Sequence, residues 1–190
     1  MSSNNTNTEI EQGKQSSFWL LTGENSIVIP IIQRDYAQGR QNNDIRQIRE
    51  SFVKKIFKVI DSSKDCLDLD FVYGSIEQPK DVVHDTDLMN FIPLDGQQRL
   101  TTLFILHWYL ALWNNDDFKL FKQHVYGRFS YKTRTSSNEF CGRMIQDIKT
   151  EDIKQSIIND IKNPIHTVLQ NEGWYHDSWK HDPTNDGMLK

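Results

Sequence analysis

Phe91-Ile-Pro-Leu-Asp-Gly-Gln-Gln-Arg99 runs directly into Leu100-Thr-Thr-Leu-Phe-Ile-Leu-His-Trp-Tyr-Leu-Ala-Leu-Trp113, and this junction decides the fold. A short apolar run, Phe91 to Leu94, ends in Asp95-Gly96, and a strongly apolar segment of helix length starts at once. That pattern is a strand, a tight turn and a buried helix. Gly96 has no Cβ, so it can take a positive φ or let another group approach the backbone closely. The amides of Gln97, Gln98 and Arg99 then precede the helix's own hydrogen-bond ladder, and the helix dipole favours an anion beside them. Arg99 adds a permanent cation with a planar fork of donors suited to phosphate. The two glutamines donate or accept without adding charge. Asp95 can cap the helix, hold a ribose hydroxyl or hold a hydrated metal ion. From these residues alone, an ordinary polar first helical turn is also open.

The remainder of the composition sets the frame. A chain of 190 residues, 37% hydrophobic and 25% charged, can bury one sizeable core, with or without a helical extension. The net charge of −4 gives no global nucleic-acid footprint, so any such contact must be local. Cys66 and Cys141 lie far apart and fit neither a zinc pattern nor a disulfide framework, which is the usage of a reducing cytoplasm. Residues 1–17 are rich in Ser, Asn, Thr and Gln with no apolar core, so they read as a disordered tail rather than a signal peptide. Leu100 to Trp113 is too short to span a bilayer.

In chain order, Phe18 to Leu21 predicts one or two helical turns. Ile27 to Ile32 predicts a strand in which Pro30 marks an edge or a bulge. The polar cluster Gln33-Arg34-Asp35-Tyr36 follows it at a place where α/β folds gather binding groups. Ile45, Ile48, Phe52, Ile56 and Val59 recur at helical spacing, with Asp44 as the N-cap and Arg46, Arg49, Lys54, Lys55 and Lys58 on the other face. From Arg34 to Lys58 seven Lys or Arg stand against three acids, which fits a solvated face or a local phosphate-backbone track. Leu69 to Ile76 predicts a strand with Glu77 just beyond, an edge residue or a carboxylate able to align a metal-bound water. Residues 78–90 predict a turn between antiparallel strands.

The helix Gln97 to Trp113 is apolar on nearly every face and should be packed on several sides, with His107 as a core histidine. A shorter helix through Phe118, Phe121 and Val125 stops at Gly127, and Phe129 to Tyr131 predicts a last short strand. Lys132-Thr-Arg-Thr-Ser-Ser137 then reads as a second polar helix start, capped by Ser136 or Ser137, whose Arg134 and hydroxyls can embrace a phosphate. Helical periods continue through Ile165 to Leu169, and Trp174 and Trp179 read as packing anchors. His176, Asp177, His181 and Asp182 have poor spacing for a shared metal.

Asp95-Gly-Gln-Gln-Arg-Leu-Thr-Thr-Leu103 resembles the signature of the N-terminal domain of GmrSD-type, modification-dependent restriction endonucleases. Three other stretches agree in order: Ile29 to Tyr36, Phe71 to Glu77, and Tyr131 to Ser137. The resemblance covers roughly residues 18 to 190. It implies an α+β fold, a small mixed sheet like those of ParB and sulfiredoxin with packed helices, followed by a helical extension. In that fold a Gly-x-x-Arg turn at a helix start, here Gly96 to Arg99, meets nucleotide phosphate. The implied organisation is a tail over 1–17, a nucleotide-binding core over 18–135 and helices over 136–190, in a chain cut short of the family's C-terminal His-Asn-His nuclease domain.

The expected function is binding and Mg²⁺-dependent hydrolysis of a nucleoside triphosphate, coupled to sensing modified DNA in anti-phage defence. Asp95, Gln98 and Arg99 are the expected catalytic residues, and Asp95 is the metal ligand. Gln33, Arg34, Gly96, Gln97, Arg99, Thr102 and Arg134 form the expected nucleotide site. The alternatives are a non-catalytic nucleic-acid-binding module and a protein-interaction fragment. No membrane partner is expected.

Overall fold

The computed structural model describes residues 17–30, 42–62, 67, 71–79, 88–146, 149–159 and 165–189. Among these, eight α-helices accompany a mixed four-stranded sheet of order β2-β3-β1-β4, and the chain is helical after β4. The tail expected over residues 1–17 falls outside this set up to residue 16.

Three strands run the same way. β1 (Asn25–Ile29) pairs in parallel with β3 (Met89–Asp95) and with β4 (Phe129–Tyr131); Ile27 is opposite both Phe91 and Phe129, and Ile29 is opposite Tyr131. Each strand buries alternate residues: Ile27 and Ile29, Phe91 and Pro93, Phe129 and Tyr131. This is the period of two of a strand with one face on a core. β1 is therefore central, contrary to the edge or bulge that Pro30 suggests. Pro30 follows the last ladder pair, where the missing N–H costs nothing, and the Ile29 carbonyl still accepts from Lys132 N at 2.9 Å.

β2 (Tyr73–Glu77) lies antiparallel on the outside of β3 and exposes every residue. Its register shifts between Tyr73 and Gly74, and Gly74 faces Pro93. An interior strand tolerates a proline at such an irregularity. Gly74 is required there, because a Cβ would sit 2.1 Å from the Ile92 carbonyl oxygen.

The core lies between the sheet and the helices α1 (Ser17–Glu24), α3 (Gln97–Ala111) and α4 (Asn115–Val125). Phe104 of α3 stacks on Phe129 of β4 at 4.6 Å between ring centroids, with Phe18, Phe121 and Trp108 buried in the same core. Trp108 donates its indole N–H to the Met144 carbonyl at 2.9 Å, joining α3 to α5 (Thr135–Gln146). One face of α3 stays open at Tyr109 and Leu110, so it is packed on fewer sides than its composition suggests. The helical region continues with α6 (Thr150–Asn159), α7 (Ile165–Gln170), a 3₁₀ turn (Asp177–His181) and α8 (Pro183–Leu189). Trp179 is buried among Phe140, Trp174 and Tyr175, the packing role expected of the tryptophans.

α2 (Asn43–Asp61) behaves differently. It is amphipathic as the spacing predicts, with Asn42 rather than Asp44 at the cap, but it has no buried residue, and Ile48, Phe57 and Ile60 are 57%, 52% and 60% exposed.

Candidate functional site at the carboxyl edge of the sheet

Because β3, β1 and β4 are parallel, their carboxyl ends lie along one edge. From that edge issue two of the polar segments singled out in the sequence, Asp95 to Arg99 after β3 and Lys132 to Ser137 after β4. Gln33 and Arg34 lie outside the described residues. Open parallel sheets place their ligands beyond such ends, where helices begin and aim amide groups outward.

Gly96 is at the cap position of α3 with φ 85° and ψ 5°, the left-handed region that costs other residues. A Cβ there would also stand 2.6 Å from the Val72 side chain. Positive φ and close approach, the two uses of glycine left open by the sequence, both apply. Having no side chain, Gly96 offers the helix start no cap, and the first backbone bond of the ladder runs from Leu100 N to Gly96 O at 2.9 Å. The amides of Gln97, Gln98 and Arg99 precede that ladder.

Asp95 does not cap the helix. Its Oδ1 accepts from Gly96 N at 2.7 Å, tightening the turn, and its Oδ2 lies 3.6 Å from the Arg99 guanidinium. This ion pair is not sealed: the Asp95 side chain is 61% exposed and that of Arg99 21%. Screening at so exposed a carboxylate limits what the pair contributes.

Gln97 turns inward. It is buried and donates its amide N–H to the Pro93 carbonyl at 2.7 Å, while its Oε1 is buried with no hydrogen-bond partner among the described residues. Its side chain braces strand against helix, leaving only its backbone N–H at the helix start. Thr102 donates its hydroxyl to the Gln98 carbonyl at 2.8 Å, inside the helix. Thr101, which the sequence did not single out, shares a buried 2.8 Å hydrogen bond with the Tyr131 hydroxyl. That bond fastens the start of α3 to the end of β4, across β1.

Arg134 occupies the position before α5, and Asn138 N donates to its carbonyl at 2.8 Å. Ser136 and Ser137 are thus inside the helix and do not cap it. Their hydroxyls donate instead to the Asp182 carboxylate, Ser137 at 3.2 Å, and Arg134 lies 3.8 Å from the same carboxylate. Asp182 also caps α8, its Oδ1 accepting from Thr184 N at 2.8 Å. The local signal for this was Asp182-Pro183, an N-cap followed by proline at the first helical position; its partnership with Arg134 had none.

The other candidates stand apart. His107 Nδ1 is 2.7 Å from the Leu103 carbonyl and its ring is 5.2 Å from Phe18; burial, first, and the nearby His124 lower its pKa. It is a core histidine, as expected. Glu77 is an exposed edge residue accepting from Ser75. Among the described residues, no group of three or more His, Cys, Asp or Glu is placed to share a metal ion, and no helix is long and apolar enough to cross a membrane.

Fold and site together define a mixed α/β domain that gathers an arginine-bearing glycine turn and a second arginine at the carboxyl edge of parallel strands. The family model described as "GmrSD restriction endonuclease, N-terminal domain" matches residues 18–181, and the chain belongs to that family. It matches no curated protein and no solved structure.

Proposed function

We propose that the carboxyl edge binds a nucleoside triphosphate and supports its hydrolysis, as the nucleotide-handling part of a restriction system that senses modified DNA in the cytoplasm. The observation that carries this reading is the left-handed Gly96 turn, which sets the α3 amides and the Arg99 guanidinium at an edge shared with Arg134. Arg99 and the amides of Gln97 to Arg99 hold phosphate as charge develops on it, and Arg134 adds charge from the end of β4, with β1 between. Gln98 orients the attacking water, with Gln33 and Arg34 contributing from the segment after β1. Asp95 is a single exposed carboxylate, which suits a Mg²⁺ ion that keeps most of its waters and arrives with the phosphates. Bound there, the ion would supply charge neutralisation to the phosphate chain. In its absence Asp95 neutralises Arg99.

Calorimetric titration of ATP, GTP, CTP and UTP with Mg²⁺, followed by phosphate release with the tightest binder, tests this reading. Arg99→Ala should weaken binding by about tenfold or more, the worth of a charged hydrogen bond, while unfolding stays cooperative. Unchanged affinity in that variant would remove Arg99 from the site. We also propose that the 190-residue chain does not itself cut DNA, the nuclease centre being supplied by a C-terminal domain; metal-dependent cleavage by the purified chain would contradict this.

A second reading has its own observation. The exposed basic face of α2 borders an open groove of ≈ 460 Å³ lined by Gln47, Glu50, Ser51, Lys54, Lys55 and Lys58. Such a face fits a nucleic-acid backbone. Binding to DNA without nucleotide, falling steeply with salt and lost when the three lysines become glutamine, would favour it.

A further inference from the structure

We infer that the Asp182 carboxylate is a built-in anion that holds the Arg134 corner until phosphate displaces it, so that nucleotide binding loosens the start of α8. This rests on the nucleotide reading of the carboxyl edge. The segment Lys132 to Ser137 has the donors of a phosphate site, and the anion found against them is internal. Arg134 lies 3.8 Å from Asp182, Ser136 and Ser137 donate to it, and the same carboxylate caps α8 through Thr184 N at 2.8 Å. One carboxylate therefore serves two structures, the Arg134 corner and the α8 start.

Two features make that arrangement displaceable. The Arg134 to Asp182 separation is longer than a tight charge-assisted hydrogen bond, so this pair is not a bidentate fork. A phosphate chain offers more charge and more acceptor oxygens than one carboxylate, and guanidinium binds it bidentately. Independently, α8 in its docked position buries Asn185 completely with neither amide atom bonded to any described residue. A buried amide without partners disfavours the docked state, and moving α8 would let that amide be hydrated. α8 packs on α3, α5 and the 3₁₀ turn, so its loosening would carry the state of the site into the helical region. Asp182 is thus a positioning residue: it acts through Arg134 and need not touch the ligand.

Hydrogen exchange of the intact 190-residue chain, with and without saturating inorganic tripolyphosphate, tests this without any variant. Exchange at the Thr184 and Asp186 amides, which Asp182 holds through its side chain and carbonyl, should rise severalfold on binding. Asp182→Asn keeps the capping oxygen and removes the competing charge, so tripolyphosphate affinity in calorimetry should rise about three- to fivefold. Arg134→Ala should abolish the exchange response while Arg99 still supports residual binding. Binding heat with unchanged α8 exchange, or Asp182→Asn binding no more tightly, would overturn the inference alone. No heat with the unaltered chain would overturn the nucleotide reading and this inference with it.

Discussion

Two regions of the molecule use their sequence in opposite ways. In one, the turn from β3 into α3 is fixed by contacts that leave little freedom: a left-handed Gly96 against Val72, the Gln97 side chain on the Pro93 carbonyl, and Thr101 on Tyr131. In the other, α2 carries a well-formed apolar stripe and buries none of it, and the neighbouring strand in sequence, β2, is exposed throughout. The difference teaches that helical periodicity and burial are separate properties. A stripe says which face wants company, and only the rest of the chain or a partner supplies it. It also separates the two functional readings, since the tightly held turn carries the proposed phosphate donors and α2 carries the basic groove.

The contrast is broken most directly by Gly96→Ala. Left-handed strain and the clash with Val72 together should cost about 2–4 kcal/mol in denaturant unfolding. A loss under about 0.5 kcal/mol would mean that the turn is not held as described. Thr101→Val comes next, at about 1–3 kcal/mol, because it leaves the buried Tyr131 hydroxyl without this partner. Thermal melts of this variant should fall while the parallel pairing of β1 and β4 persists in amide exchange.

A smaller effect appears on lowering the pH. Burial lowers the pKa of His107 and of His124 below the ordinary 6.5, so the unfolded chain binds those protons first. Their contribution is present in full above about pH 6.5 and is lost as pH falls through the folded values. The melting temperature should therefore drop between pH 7.5 and 5, and less so in His107→Gln. An equal drop in that variant would exclude His107 as a source. Smallest of all, Phe57→Ala on α2 should stay within about 0.5 kcal/mol in the isolated chain, because its side chain is 52% exposed and lies outside the core. A loss of 2 kcal/mol or more, the scale of about a buried side chain, would show that α2 is covered in solution.

Much of the fold was legible because it is local. The apolar run, Asp95-Gly96 and the oily helix read as strand, turn and helix from their own pattern, and β4 and α4 were equally plain. What stayed hidden was long-range. Pro30 suggested an edge because a sequence does not show that the ladder ends one residue earlier, at Ile29 opposite Tyr131. Ser136 and Ser137 have the chemistry of helix caps, yet a carboxylate far along the chain claims their hydroxyls. Thr101 and Tyr131 carry no joint signal in their own neighbourhoods. Of the candidate site, the glycine turn and the presence of two arginines at its edge follow from residue type and position, while the bracing role of Gln97 and the double duty of Asp182 required the packing.

The central claim is that nucleotide phosphate sits at the tightly held member of this contrast. Backbone amide spectra of the 190-residue chain, recorded while the tightest-binding nucleotide and Mg²⁺ are added, test it most directly. The predicted result is a saturable set of shifts at Gly96 to Leu100 and Lys132 to Ser137, with Asn43 to Asp61 unmoved. Shifts confined to Asn43 to Asp61, or no shift at Gly96 to Leu100 at saturation, would contradict it.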